Sequence, residues 1–105
     1  MSQGTARASL HVIHSADTAA QGQAYAIGPE GLSLGREVGN GIVISSDQAS
    51  RRHARIFVLS GSHVLQDLDS TNGTFVNSKA IREQPLRHGD VVRVASTVLK
   101  YVVEG

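Results

Sequence analysis

Three short polar segments interrupt an otherwise alternating chain, and most of their side chains are hydrogen-bond donors. They are Gly35-Arg36, Ser50-Arg51-Arg52-His53 and Ser70-Thr71-Asn72-Gly73-Thr74. Arg36 and Arg51 carry forked, permanently charged guanidinium groups. Ser50 and Thr71 carry hydroxyls, and Asn72 carries an amide that can bridge to an extended backbone. No acidic residue lies within the three segments. Such a donor set suits a phosphate ester, which brings a charge of about −1.5 to −2 and three acceptor oxygens. Arg51 and Arg52 are adjacent and point opposite ways in an extended chain, so one of them is expected at the ligand, and Arg51 is the choice.

Other groupings offer weaker chemistry. Ser50 and His53 invite a nucleophile–base reading, but three steps of extended chain span about 10 Å and odd offsets alternate faces. His53 is expected instead to bond loop backbone. Neither a Gly-x-Ser-x-Gly elbow nor an orienting acid accompanies Ser50. His88-Gly89-Asp90 reads as a turn with glycine at a special φ. His11 and His14 diverge on a strand, without the further ligands a metal site needs. Asp67 and Asp69 could share a face, yet no Gly-rich calcium loop surrounds them. The reading therefore includes no catalytic residue, no metal ligand and no cofactor.

The elements that must position the donor segments are strands. Ser9–His14 alternates, with Leu10 and Val12 on one side and His11 and Ile13 on the other. Short strands are expected at Ala24–Ile27, Leu32–Arg36 and Ile42–Ile44, with a turn at Gly28-Pro29-Glu30-Gly31. His53–Leu59 places Ala54, Ile56 and Val58 on one face. Further strands are expected at His63–Leu68, Thr74–Val76, Val91–Ala95 and Val98–Val103, with a turn at Asn77-Ser78-Lys79. Asn72-Gly73 is also a hairpin-turn signal, since Asn-Gly is the strongest short dipeptide for such a turn. No window keeps the apolar spacing of a helix for three turns. The pattern is all-β, a sandwich or barrel whose strand ends can bring distant loops together.

Composition bounds the rest. A chain of 105 residues is one ordinary domain. Residues 1–8 are small and polar and are expected to be a flexible segment, with the domain at 9–105. The net charge is +1, with 4% aromatic residues, which disfavours a nucleic-acid surface. No apolar run approaches the roughly 18 residues of a membrane helix. The chain has no cysteine, which removes disulfides and thiol chemistry and is compatible with a cytoplasmic location.

Four blocks in order make the reading more specific: Gly35-Arg36; Ser50-x-x-His53; Asp67-Leu68-x-Ser70-Thr71-Asn72-Gly73-Thr74-x-Val76-Asn77; and Leu86-x-x-Gly89-Asp90. Together they resemble the forkhead-associated (FHA) domain from about Leu32 onward. The resemblance implies a β-sandwich of about eleven strands in two mostly antiparallel sheets, binding phosphothreonine peptides on loops at one end. On that basis Arg36 and Ser50 would contact the phosphate, and Arg51 the phosphate or peptide. Thr71 would line the phosphothreonine pocket, and Asn72 would bond the peptide backbone. Gly35, His53 and Gly73 would shape the loops. Gln48 stands where the family often uses a basic residue to read the third position after the phosphothreonine, which leaves preference there open. The implied partner is a phosphothreonine-containing protein, with no nucleic acid, membrane or cofactor. The domain is expected to be part of, or to act with, a larger regulatory protein. The main rival is a phosphorylation-independent interaction or oligomerisation module. A small hydrolase and a nucleic-acid binder are weaker rivals.

Overall fold

The computed structural model describes residues 7–104. Eleven strands form two sheets. The six-stranded sheet contains β1 (Arg7–His14), β2 (Ala24–Ala26), β7 (Thr74–Val76), β8 (Lys79–Ile81), β10 (Val91–Val94) and β11 (Thr97–Glu104), in the order β2-β1-β11-β10-β7-β8. The five-stranded sheet contains β3 (Leu32–Gly35), β4 (Ile42–Val43), β5 (Ala54–Leu59), β6 (Ser62–Asp67) and β9 (Glu83–Pro85), in the order β4-β3-β5-β6-β9. Every neighbouring pair is antiparallel except β3 with β4.

Alternation explains the core. Leu10, Val12, Val76, Val92, Val94 and Leu99 project from one sheet onto Leu34, Ile42, Ala54, Ile56 and Leu65 of the other, and all are buried. Burying each large aliphatic side chain contributes about 1.5–3 kcal/mol, less the entropy of ordering it. Val58, expected on the buried face, is 43% exposed, because it stands two residues before the Ser60-Gly61 hairpin tip. Ile13 is exposed as its alternation requires, just where β1 slips register against β11.

The expected turns and ends differ in detail. Arg7 and Ala8, placed in the flexible segment, are paired strand, Arg7 with Glu104 and Ala8 with Val103. The rest of that segment, residues 1–6, lies outside the described residues. β8 and β9 escaped the sequence pattern because each has three residues and opens on a charged one. Lys79, read as part of a turn, opens β8, and Pro85 is tolerated because β9 is an edge strand. The connection from β1 to β2 contains one 3-10 turn, Thr18–Ala20, capped by Asp17.

Register sets where the loops meet. Leu34 pairs with Ala54, and Ala54 with Asp67, so β3, β5 and β6 reach one end of the sheet in a single row. In the other sheet Val94 pairs with Thr74 and with Thr97, which puts the β10–β11 turn at the same end as Gly73. Glu104 and its partner Arg7 therefore lie at the opposite end.

Candidate functional site

Hydrogen bonds lash the three loops at that end together. The Arg36 backbone N–H donates to the Ser50 carbonyl (2.9 Å), and that of Glu37 to the Arg51 carbonyl (3.1 Å). Asn40 Nδ2 donates to the same Arg51 carbonyl at 2.9 Å and to the Glu37 carbonyl at 2.7 Å. Gly35 is needed for this approach, since a Cβ there would strike the Arg51 carbonyl. Its φ is ordinary, so the requirement is space and not conformation.

His53 is the joint between loops. It is fully buried. The Ser50 N–H donates to its Nδ1 at 3.0 Å. An Nδ1 that accepts carries no proton, so in the neutral ring Nε2 is the donor, and it bonds the Gly73 carbonyl at 2.8 Å. One ring thus fixes the second donor segment against the third. Asp67 organises the third segment from within. It accepts from the Ser70 hydroxyl, from the Ser70 N–H at 3.2 Å and from the Thr74 hydroxyl at 2.7 Å. Burial pushes the Asp67 carboxyl up, but those hydrogen bonds outweigh it and hold the group below the usual carboxylate range. Gly73 takes φ +87°, which its missing Cβ permits.

Between the loops lies an open cleft of about 470 Å³. Arg36, Gln48, Ser50, Arg51, Thr71 and Asn72 all line it, so every residue expected to touch the ligand shares one cavity. Arg36 Nε donates to the Ala49 carbonyl at 3.0 Å, which holds the side chain by its neck. The two terminal nitrogens of its fork make no hydrogen bond among the described residues. The Ser50 hydroxyl oxygen accepts the Thr71 N–H at 3.1 Å, leaving its proton for another acceptor. Asn72 Nδ2 donates to the Gln48 carbonyl (2.7 Å) and Oε1 (3.3 Å), so its amide is already tied to the neighbouring loop. Gly35, His53 and Gly73 stay behind the surface, in joints.

Three points differ from the sequence reading. Arg52 lines the cleft along with Arg51, because residues 51–52 bend instead of extending and the alternation argument fails there. Acidic groups are also present, since Asp47 and Asp69 stand in the wall. Asp69 is partly neutralised by exposed Arg82 at 3.6 Å. Sequence reasoning missed both aspartates because neither falls inside a donor segment, and it missed Asn40 because an Asn between glycines reads as turn. Asn72-Gly73 does not form the expected hairpin turn. Of the pair only Gly73 has positive φ, and the two-residue turns with both φ positive are Ser60-Gly61 and Asn77-Ser78. His88 and Asp90 prove structural: His88 Nδ1 accepts the Val103 N–H at 2.9 Å, Asp90 bonds Asn77 and the Arg87 N–H, and Gly89 takes φ +94°.

A two-sheet sandwich with a donor-lined cleft built from three loops at one end defines a recognition module for an oxyanion. Comparison with known proteins makes this specific. The family model of the FHA domain matches residues 32–95, and the chain belongs to that family. It is 37% identical over 73 residues to the ABC transporter ATP-binding/permease protein Rv1747 of Mycobacterium tuberculosis, covering 70% of this chain and 8% of that protein. Mycobacterium tuberculosis EmbR, solved in complex with a low-affinity phosphopeptide, superposes with TM-score 0.84 at 32% identity, covering 95% of this chain and 25% of EmbR. A structure from an analysis of phosphothreonine-dependent FHA domain interactions superposes with TM-score 0.83 at 26% identity, covering 94% of this chain and 98% of that one. The chain spans 8–52% of the length of the first curated relatives it matches. Among the described residues no helix is long and apolar enough to cross a membrane.

Proposed function

We propose that this chain is a phosphothreonine-dependent interaction module that holds a phosphorylated segment of a partner protein in the three-loop cleft, in the cytoplasm where kinases supply the mark. The observation that carries the reading is Arg36, anchored by Nε with its fork tip unspent in the same cavity as the Ser50 hydroxyl. Arg36 and Ser50 take the phosphate oxygens, and Arg51 supplies further charge. Thr71 borders the threonine pocket. Asn72 offers Oδ1 to a peptide N–H, since its amide hydrogens are held by Gln48. Gln48 stands at the edge where residues beyond the phosphothreonine pass. The chain works by binding and not by turnover, because Ser50 Oγ has no base: His53 spends both ring nitrogens on backbone. Membership of the FHA family and the EmbR phosphopeptide complex support this reading over a phosphorylation-independent one.

Charge-assisted hydrogen bonds contribute about 1.5–3 kcal/mol each, so two or three with backbone contacts suit micromolar affinity, about −8 kcal/mol. The test is a phosphothreonine peptide library screened against wild type, followed by calorimetry on the best binder. Arg36→Ala is expected to remain folded and to bind more than tenfold more weakly, about 1.4 kcal/mol. Arg36→Lys should not restore binding, because a point charge cannot fork onto two oxygens. Equal affinity for phosphorylated and unphosphorylated peptide would overturn the reading.

A further inference from the structure

A second cavity, of about 400 Å³, opens beside the first on the outer side of the five-stranded sheet, and Arg52 stands in the wall of both. Arg55 and Phe57 of β5, with Ser33 of β3, form much of its floor. Arg55 is preset there. Its Nε donates to Gln66 Oε1 at 2.6 Å, its guanidinium carbon lies 4.7 Å above the Phe57 ring, and Gln66 is itself held by Glu83 at 3.0 Å. Arg55 makes no direct ion pair, since Arg82–Asp69 is the single one among the described residues and Glu83 reaches Arg55 only through the Gln66 amide. Glu30 is the one carboxylate in the wall, and it folds back on its own turn, with Oε1 2.7 Å from where a Cβ on Gly28 would sit.

We propose that Arg55 and Arg52 form a second anion subsite, which reads an acidic side chain of the ligand at a fixed distance from the phosphothreonine. This rests on the proposed phosphothreonine reading. The shared wall makes the two cavities one continuous track. The Arg55 fork has lost most of its freedom before ligand arrives, so little further ordering is needed to engage an anion. From Ser50 to Arg55 is five residues, and from Arg52 to Arg55 three. At about 3.3 Å per residue Ser50 and Arg55 are at most about 17 Å apart, and closer because Arg51 and Arg52 bend, so the second anion lies within about five residues of the first along an extended peptide. The aspartates of the main cleft, Asp47 and Asp69, would repel an acid placed closer.

The test takes the best neutral-flanked phosphothreonine peptide and places glutamate, or a second phosphothreonine, three to five residues away on either side. Wild type should bind one flank's acidic peptides at least fivefold more tightly than the neutral one. Arg55→Gln should abolish that gain while binding the neutral peptide like wild type. A larger gain from phosphate than from glutamate identifies a doubly phosphorylated ligand, and equal gains identify plain acidic sequence. No gain on either flank, equal gain on both, or a gain that survives in Arg55→Gln overturns the subsite and leaves the main reading intact. Failure of the neutral phosphopeptide to bind better than its unphosphorylated form overturns both.

Discussion

His53 meets neither solvent nor ligand, yet it decides whether the cleft exists. Its ring takes the Ser50 N–H on one nitrogen and gives its proton to the Gly73 carbonyl with the other, so replacing it orphans two backbone groups and opens a void. His53→Ala is expected to cost about 2–4 kcal/mol in denaturant unfolding, combining lost hydrogen bonds with a cavity. Phosphopeptide affinity should fall as well, although the side chain never reaches the ligand. A variant as stable as wild type would show that the loops hold without it. At this scale the sequence was informative where chemistry was concentrated. Arg36, Ser50, Arg51, Thr71, Asn72 and Gln48 were legible because their types and spacing recur as a set, and they do share a cavity. Arg52 was not, because its exposure depends on a bend that residue types do not announce.

Strands were legible wherever alternation ran for four residues or more, as in β1, β5 and β11, since burial on one face leaves a period of two. The three-residue edge strands β8 and β9 were not, because pairing and not hydrophobicity defines them. The two sheets are also joined by a polar contact that alternation hides. His63 of β6 meets Tyr101 of β11, Nδ1 to hydroxyl at 2.6 Å, with the rings edge-on at 5.8 Å. Burial lowers the His63 pKa below 6.5 and raises that of Tyr101, with help from Asp90. A histidine lowered on folding favours the neutral native form. Its contribution is therefore present above pH 6.5 and fades as pH falls from there through the folded value. His63→Gln should show a smaller drop in thermal midpoint between pH 7.5 and pH 5 than wild type. An identical drop would assign the acid sensitivity elsewhere.

The molecule as a whole measures 45 × 27 × 26 Å and carries +1 overall, so its affinity for anions is a matter of local placement and not net charge. The all-β class and the convergence of loops at one end could be read from the sequence. Which end holds the outer ends of β1 and β11 could not, because it follows from the pairing of β10 with both β7 and β11 and of β1 with β11. Arg7 and Glu104 pair at the end away from the cleft. A bulky protein fused beyond either strand should accordingly leave phosphopeptide affinity within twofold of wild type by calorimetry. A larger loss would mean that the cleft end is crowded.

That same pairing constrains how such a domain meets marks on its own polypeptide. β11 runs eight residues from the cleft end to Glu104, and retracing it takes about 23 Å of tether, or about seven extended residues. A modified threonine nearer than that to either outer strand end is too short-leashed to fold back into its own domain. It is left for a second copy to capture in trans, and longer tethers make self-occupancy compete with any outside ligand.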